Sequence, residues 1–255
     1  RTPGHGIFKG IKELKPGYYL VYDKDGVRKE QYWELESKPH QDSVEETISK
    51  VRELFIDTVK RQLVSDVPIC TLLSGGLDSS AITAVASQAL QEAGKGQLHT
   101  YSVDYEGNDE HFEANDFQPD ADSKWIGLMS DYANTHHHDV ILPNSKLVEG
   151  LREGVYARDL PGMADIDVSL YLFCKEIEQK FTVAVSGECA DEIFGGYPWY
   201  YREEALAANT FPWSRRTDDR LQIFNQQLLT EIKPREYLNR RYQEALAEVP
   251  KLSGE

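Results

Sequence analysis

The stretch that decides the fold is LLSGGLDSS, residues 72–80, which follows a short apolar run and precedes an Ala-rich run. The apolar run VPICTLL (67–73) predicts a buried strand, and residues 79–92 predict a helix. Between them, Gly75 and Gly76 lack Cβ atoms, so backbone N–H groups can approach a phosphate closely. The start of the helix adds unpaired N–H groups and the positive end of a dipole. We therefore predict a phosphate-binding turn.

This turn differs from a P-loop because it contains no lysine. Ser74 and Ser79 offer hydroxyl donors, whereas Asp78 carries a charge that repels phosphate. Mg2+ removes that conflict, since one or two carboxylates and phosphate oxygens are its ordinary ligands. We therefore expect Mg2+ at Asp78. The alternative is a plain strand-to-helix turn in which Asp78 and Ser79 serve as an N-cap.

The rest of the chain alternates between strand and helix patterns. Apolar runs predict further strands at 97–103, 137–142 and 181–187. Helices are predicted at 43–65, where Ser43 and Glu46 suit a capping box, and at 123–135, 145–158, 168–180 and 220–248. This alternation predicts an α/β fold with an open, mostly parallel sheet and helices on both faces. Ligands of such sheets bind beyond the carboxyl ends of the strands.

The two ends of the chain and one long loop follow other patterns. Residues 7–35 predict a β-hairpin with its turn at Asp25-Gly26. A single hairpin is marginally stable in water, so we expect it to belong to a larger sheet. Residues 39–43 suggest a linker. The acidic stretch 104–122 predicts a long solvated loop, for which a lid over the site is the alternative interpretation.

Composition excludes several classes of function. The net charge of −15 disfavours a nucleic-acid partner, and no apolar run approaches the roughly 18 residues of a membrane span. Three cysteines without a C-x-x-C pair disfavour a disulfide framework and a zinc site, which favours a reducing cytoplasm. His136, His137 and His138 are adjacent, and adjacent side chains on a strand alternate between faces, so we predict no metal site there.

A second stretch, VAVSGECADEIFGGY (183–197), repeats the logic of the first. A predicted strand ends at Ser186-Gly187, and an acidic cluster follows it. If the two strand ends face each other, Asp78 and Asp191 could share Mg2+, which leaves Glu188 to take a proton from an incoming amine. The alternative is that the acidic residues form the solvated first turn of the next helix.

The two stretches together resemble a known family. LLSGGLDSS is similar to the S-G-G-x-D-S signature of the ATP pyrophosphatase (PP-loop) family. SGECADEIFGGY resembles the corresponding stretch of glutamine-dependent asparagine synthetases, and RDLPGMADIDVSLYLFCKEI (158–177) resembles the segment between their two loops. The resemblance implies an adenine nucleotide alpha hydrolase-like fold. It also implies that 1–38 is the C-terminal remnant of a glutaminase domain and 39–255 an ATP-binding synthetase domain, incomplete at its C-terminal end.

By this resemblance, the side chain of aspartate attacks the α-phosphate of ATP to give β-aspartyl-AMP and pyrophosphate, and ammonia then displaces AMP to give asparagine. The ammonia comes from glutamine through the N-terminal domain, and a homodimer is compatible with the sequence. The implied nucleotide contacts are Leu73, Val103, Ser186 and Gly187. The implied pyrophosphate ligands are Ser74, Gly75, Gly76, Asp78 and Ser79. Asp78 and Asp191 would bind Mg2+, Glu188 would act on ammonia, and Tyr197 would line the pocket.

Departures from the family pattern leave alternatives open. Because residue 1 is Arg1 and no cysteine nucleophile stands there, we expect a chain truncated at both ends, with part of the aspartate site missing beyond Glu255. Cys189 stands where the family has glycine. Because a cysteine side chain carries a Cβ, it disfavours a positive φ at this position. Its thiol is either beside the phosphate site, where ATP would protect it from alkylation, or buried and inert. A β-lactam synthetase-like or other PP-loop adenylating amidotransferase, or a catalytically incomplete nucleotide-binding fragment, remains the rival interpretation.

Overall fold

The structure is a computed structural model that describes residues 4–36, 38–114, 120–160 and 162–248. The chain divides into two compact units, Arg1–Gln41 with Glu203–Glu255, and Asp42–Arg202. The strands are β1 (Tyr18–Asp23), β2 (Gly26–Gln31), β3 (Ile69–Leu72), β4 (His99–Tyr105), β5 (His136–Leu142) and β6 (Val183–Val185). The α-helices are α1 (Val44–Gln62), α2 (Leu77–Glu92), α3 (Asn108–His111), α4 (Asp122–Ala133), α5 (Asn144–Glu149), α6 (Leu151–Arg158), α7 (Ala164–Glu178), α8 (Ala190–Phe194), α9 (Glu203–Leu206), α10 (Thr217–Leu221), α11 (Gln226–Ile232) and α12 (Pro234–Glu248).

The unit Asp42–Arg202 is built on a parallel four-stranded sheet with the strand order β5-β4-β3-β6. This confirms the predicted α/β fold and all four predicted strands. From β3 the chain moves through β4 to β5 on one side, whereas β6 lies on the other side of β3. The strand order therefore reverses between β3 and β6, and a ligand is expected beyond the carboxyl ends of these two strands.

Helices cover both faces of this sheet because neighbouring strand residues point to opposite sides. Thr71 hydrogen-bonds Thr83 of α2 on one face, and Cys70 packs with Phe173 of α7 on the other. The core under α1 and α2 consists of Val59, Leu63, Ile82, Ala86 and Leu98. The core under α7 consists of Cys70, Tyr101, Phe173, Ile177 and Phe181.

The capping box predicted at the start of α1 is present. The Ser43 hydroxyl accepts a hydrogen bond from the Glu46 N–H, and the Glu46 carboxylate accepts one from the Ser43 N–H at 2.9 Å. Two orphan N–H groups of the first turn are thereby satisfied. Hydrogen bonds that the Glu46 carboxylate accepts from the Ser43 N–H and from the Ser43 hydroxyl also lower the pKa of Glu46.

Two helices predicted as continuous are broken in the structure. The segment 145–158 divides at Gly150, where an added Cβ would lie 3.0 Å from Val168 Cγ1 and 3.1 Å from the Lys146 carbonyl oxygen. The segment 220–248 divides at Lys233, which adopts a left-handed conformation with φ 45°. Pro234 follows it and begins α12, a position that proline favours because it has no N–H to satisfy.

The loop prediction for 104–122 is partly wrong. Strand β4 continues to Tyr105, and the short helix α3 follows it. Residues 115–119 of the predicted lid lie outside the described residues. Helix α4 then begins at Asp122, one residue before its predicted start.

The smaller unit contains the predicted hairpin, in which β1 and β2 pair antiparallel. Asp23 pairs with Gly26, so the two turn residues are Lys24 and Asp25 rather than the predicted Asp25-Gly26. Gly26 still supplies the required positive φ, at 111°, as the first residue of β2. Elsewhere in this unit, Tyr242 of α12 meets the ring of Phe211 edge-on, with centroids 5.3 Å apart. Within the described part of the chain, no helix has the length and apolarity that crossing a membrane requires.

Candidate functional site

The turns after β3 and β6 meet at the carboxyl edge of the sheet. A Cβ atom added to Gly187 would lie 3.1 Å from Asp78 Cβ and 3.3 Å from the Ser79 backbone nitrogen. Such spacing is tighter than ordinary van der Waals contact, so the close approach of the two turns depends on glycine at this position. The sequence placed both turns at strand ends, and the structure brings those ends together.

The first turn is held by a set of short-range hydrogen bonds. The Ser74 N–H donates to Ser79 Oγ at 3.2 Å, the two serine hydroxyls lie 3.0 Å apart, and the Ser79 hydroxyl donates to the Gly76 carbonyl at 3.2 Å. Ser79 is therefore buried as a structural element of the turn, while Ser74 is exposed. The backbone is fixed before any ligand arrives.

Helix α2 begins at Leu77, two residues before the predicted start. Its N-cap is Gly76, and no side chain caps it. The alternative in which Asp78 and Ser79 cap the helix is thus wrong, because Asp78 already lies in the first helical turn. An N-terminus without a side-chain cap leaves N–H donors and the positive dipole end for a ligand.

Gly75 serves the geometry of the turn. Its φ is +80°, and an added Cβ would lie 2.9 Å from the Asp122 carbonyl oxygen and 3.0 Å from Trp125 Cβ. Both the conformation and the packing against α4 require glycine here. Gly75 is absent from the residues that line the cavity described below.

The second turn places its acidic residues by a similar set of contacts. The Glu188 N–H donates to Ser186 Oγ at 3.1 Å, and the Ala190 N–H donates to the Gly187 carbonyl at 3.2 Å. Helix α8 follows at once, so Asp191 lies in its first turn. Asp191 is half-buried and Glu188 is exposed.

Two expectations for Cys189 are wrong. Its φ is 72°, although we expected cysteine to disfavour a positive value. The reason is that the turn between β6 and α8 needs one left-handed residue at this position, whatever side chain the sequence supplies. Cys189 is also exposed and lines the cavity, so the buried, inert thiol is excluded. Its alkylation and protection by ATP stay a prediction.

A cavity of about 400 Å³ lies where the two turns meet. It gathers most of the candidate residues, namely Leu73, Ser74, Gly76, Asp78, Ser79, Val103, Ser186, Gly187, Glu188, Asp191 and Tyr197. It also gathers residues that sequence reasoning did not assign to it, namely Leu72, Tyr101, Ser102, Asp122, Ile126, Leu170 and Phe173.

The missed residues carried only weak signals. Tyr101 and Ser102 precede the predicted end of their strand, and the strand-end rule could have included them. Asp122 stood in a stretch interpreted as a solvated loop. Leu170 and Phe173 lie on α7, where an apolar residue is more often part of the core than of a pocket.

The cavity is strongly acidic. Four carboxylates line it, from Asp78, Asp122, Glu188 and Asp191, and no lysine or arginine does so among the described residues. Partial desolvation and a hydrogen bond to Glu192, with the charges of Asp191 and Glu188, raise the pKa of Tyr197. These carboxylates repel an anionic ligand. The α2 N-terminus provides some positive charge to offset that repulsion, and accompanying cations must provide the rest.

A family model described as asparagine synthase matches residues 50–255, which include both turns and every residue of the cavity. The chain belongs to the asparagine synthase family. This confirms the resemblance that the two loop sequences indicated.

Three relatives in the asparagine synthase family show how much of a longer protein this chain covers. Asparagine synthetase [glutamine-hydrolyzing] 3 of Bacillus subtilis is 51% identical over 255 residues, which is 100% of this chain and 41% of the relative. The putative asparagine synthetase 2 of Methanocaldococcus jannaschii is 32% identical over 76% of this chain and 35% of its own length. Asparagine synthetase B of Escherichia coli is 29% identical over 77% of this chain and 35% of its own length. The chain thus spans well under half of each relative.

Proposed function

We propose that this chain carries the ATP-dependent amide-forming reaction that makes asparagine from aspartate, through β-aspartyl-AMP, with release of AMP and pyrophosphate. The observation that carries the proposal is the contact between the two glycine turns, at Gly187 and Asp78, above one acidic cavity. Membership of the asparagine synthase family supports it. The names of the relatives give asparagine as the product and glutamine as a molecule that is hydrolysed.

Binding of ATP follows from the shape of the first turn. The uncapped N-terminus of α2 offers N–H donors to the β- and γ-phosphates, and the Ser74 hydroxyl offers another. Gly76 lines the cavity without adding a side chain to that path, while Gly75 allows the turn to pack against α4. Leu73, Val103, Ser186 and Gly187 would contact the nucleoside. No lysine lines the cavity, among the described residues, to accompany a γ-phosphoryl group during its transfer. We therefore propose that pyrophosphate is held as an intact leaving group.

The acidic cavity fits Mg2+. Asp78 and Asp191 both line it and supply two carboxylates, which matches the number that Mg2+ takes alongside phosphate oxygens and water. When bound, the ion would neutralise phosphate charge that these carboxylates otherwise repel. Without such a cation, four lining carboxylates would oppose a triphosphate.

Aspartate would be activated before ammonia reacts. A carboxylate is a poor acyl donor, and attack of its oxygen on the α-phosphate converts that oxygen into part of a good leaving group. Tyr101, Leu170 and Phe173 line the cavity with ring and aliphatic surface, which limits the access of water to the adenylate. Glu188 is exposed beside this surface and would take the proton from the incoming ammonia nitrogen.

The ammonia would come from glutamine. The relatives are named as glutamine-hydrolysing, and we propose that residues 1–38 are the end of a glutaminase domain, with the synthetase domain in 39–255. The family match, which begins at residue 50, is in line with this division. We further propose a cytoplasmic enzyme, since three free cysteines suit a reducing compartment.

The test is an assay of the full-length protein with ATP, Mg2+, aspartate and ammonium, measuring AMP, pyrophosphate and asparagine together. We expect aspartate-dependent formation of all three in equal amounts. Asp78→Asn and Asp191→Asn should each reduce the rate about 100-fold or more, because each removes a carboxylate that we propose holds Mg2+ against the phosphates. Asp131→Asn, which changes an exposed carboxylate on α4, serves as the matched control.

Other outcomes would redirect or overturn the proposal. Turnover with a different carboxylate and none with aspartate would keep the adenylation and replace the substrate, as in a β-lactam synthetase-like enzyme. Formation of ADP and phosphate would contradict the assigned role of the first turn. ATP binding without any turnover would indicate a nucleotide-binding module.

A further inference from the structure

Three histidines come together at the opposite edge of the sheet from the nucleotide cavity. His99 and His136 are the first residues of β4 and β5 and pair with each other in the parallel register. His138 lies two residues further along β5 and therefore on the same face as His136. We call His99, His136 and His138 the three-histidine cluster.

Sequence reasoning missed this cluster for a simple reason. Alternation along the strand separates His137 from its two neighbours, and it does hydrogen-bond Thr100 on the other face at 2.8 Å. The same alternation places His136 and His138 together. The third member, His99, comes from a strand whose register could not be read from the sequence.

The three rings are close enough to share one ion. Each offers one nitrogen, and these three nitrogens all lie within 4.8 Å of one another. His99 Nδ1 and His138 Nε2 are 2.8 Å apart, which is a hydrogen bond between rings. This is the one group of at least three candidate ligands found among the described residues.

Aromatic neighbours hold two of the rings in place. Tyr101 stacks on His138 with centroids 4.4 Å apart, and Phe181 contacts His99 at 4.9 Å. His138 and His99 are half-buried, whereas His136 is exposed and its ring centroid lies 4.8 Å from that of His99 and 4.7 Å from that of His138. Two half-buried ligands and one exposed ligand make an accessible, partly preorganised site.

We propose that the three-histidine cluster binds one Zn2+ ion through three imidazole nitrogens, with water in the fourth position. Imidazole is a preferred ligand of zinc, and three histidines with an open position are a known zinc arrangement. At Zn–N distances of about 2.0–2.1 Å, tetrahedral ligand nitrogens lie about 3.3 Å apart. The three nitrogens, which lie within 4.8 Å of one another, must therefore shift by up to about 1.5 Å, and the ion replaces the hydrogen bond between His99 and His138.

The proposal does not rest on the amide-forming chemistry, although Tyr101, which stacks on His138, also lines the cavity. The cavity lies beyond the carboxyl ends of the strands, whereas His99 and His136 begin their strands. Bound zinc would fasten the edge strand β5 to β4, and so would stabilise that side of the sheet. The positive charge of Lys180 acts on both His99 and His138 and therefore opposes the binding of a cation.

The test is zinc binding to the full-length protein, with any affinity tag removed, after treatment with a chelator. Calorimetric titration with ZnCl2 is done in millimolar Mg2+, which occupies carboxylate sites. We expect one Zn2+ per chain, and Co2+ in its place should give the intense visible absorption of a tetrahedral ion. His136→Ala should weaken zinc binding by at least about 10-fold, since it removes one of three ligands.

The matched control is His111→Ala, which removes an exposed histidine of α3 outside the cluster. It should bind zinc as the parent does. Circular dichroism confirms that both variants are folded, which is expected because both residues are exposed. Absence of zinc binding by the parent, equal binding by His136→Ala, or a Co2+ spectrum that His136→Ala leaves unchanged would each overturn the proposal.

Discussion

At the scale of single residues, Cys189 shows a conflict between local preference and the turn that it occupies. A non-glycine residue in the left-handed region is disfavoured by contact between its Cβ and the backbone, by about 1–2 kcal/mol. Cys189 has φ 72° and ψ 3°, and it is the residue immediately before α8. The strain is imposed by the need to turn the chain sharply between β6 and the acidic cluster.

Replacing this residue gives the first prediction. Cys189→Gly should raise the free energy of unfolding by about 1 kcal/mol, because glycine adopts positive φ without steric cost. For a protein of this size the melting temperature should rise by about 2–4 °C. Cys189→Ser keeps the β-carbon and should give no increase. A glycine variant that is no more stable than the serine variant would show that the turn carries no strain.

Glu188 gives a second prediction, which separates the two halves of the reaction. Glu188→Gln keeps the shape of the side chain but cannot accept a proton from ammonia. Aspartate-dependent exchange of labelled pyrophosphate into ATP should persist, while asparagine formation should fall by about 100-fold. Glu192→Gln changes an adjacent carboxylate of the same cluster as a control. Equal loss of both activities in Glu188→Gln would assign Glu188 to the first step instead.

At the scale of elements, the link between β3 and α2 positions the first turn. Thr71 and Thr83 are fully buried, and their hydroxyl oxygens lie 3.1 Å apart. One threonine is on the strand that enters the turn and the other on the helix that leaves it. This hydrogen bond therefore ties together the two elements that present the proposed phosphate-binding residues.

A double-mutant cycle tests that link. Thr83→Val should lower the free energy of unfolding by about 1–3 kcal/mol, because it leaves a buried hydroxyl without its partner. Adding Thr71→Val should restore part of the loss, since both polar groups are then gone. Thr58→Val, on the exposed side of α1, should change little. Urea denaturation measures the parent, the single variants Thr71→Val and Thr83→Val, the double variant and the Thr58→Val control, and simply additive losses in the double variant would contradict the link.

The sequence predicted where strands and helices lie better than it predicted where helices are interrupted and which residues of different elements come together. The strands and the α1 cap were predictable because apolar runs and Ser43-Glu46 are local signals. The break at Gly150 was not, because it depends on packing against Val168 of a different helix. The three-histidine cluster likewise depends on the register of β4 against β5, which no local pattern contains.

The same division holds for the candidate site. The glycine turns and their carboxylates were predictable from residue types at strand ends. Asp122, Leu170 and Phe173 were not, because helices α4 and α7 bring them to the cavity from distant parts of the sequence. The prediction that Cys189 avoids a positive φ was wrong. The turn requires a left-handed residue at this position, and this requirement outweighs the steric preference of cysteine for a negative φ.

At the scale of the whole molecule, negative charge governs how a nucleotide can bind. The chain carries a net charge of −15, and the cavity contributes four carboxylates. A triphosphate therefore approaches a surface of like charge. Among the described residues, no lysine or arginine lines the cavity to oppose this repulsion, so we propose that nucleotide binding depends on a divalent ion together with the helix dipole.

Thermal unfolding of the protein tests that condition. With Mg2+ and ATP at about 100 times its dissociation constant, binding should add about 2.7 kcal/mol to stability. ATP with EDTA should add almost nothing, and Mg2+ alone should have little effect. Asp78→Asn should abolish most of the shift, whereas Asp131→Asn should keep it. An equal shift with ATP in EDTA would remove the need for a cation at Asp78.

The central claim is that the first turn holds pyrophosphate while the carboxylate of aspartate attacks the α-phosphate. Aspartate labelled with 18O in its side-chain carboxylate tests this most directly, with ATP, Mg2+ and ammonium and mass spectrometry of the products. The account predicts that one labelled oxygen appears in AMP and the other stays in asparagine, with none in pyrophosphate. Label in inorganic phosphate together with ADP would contradict the account, because the attack would then have been on the γ-phosphate.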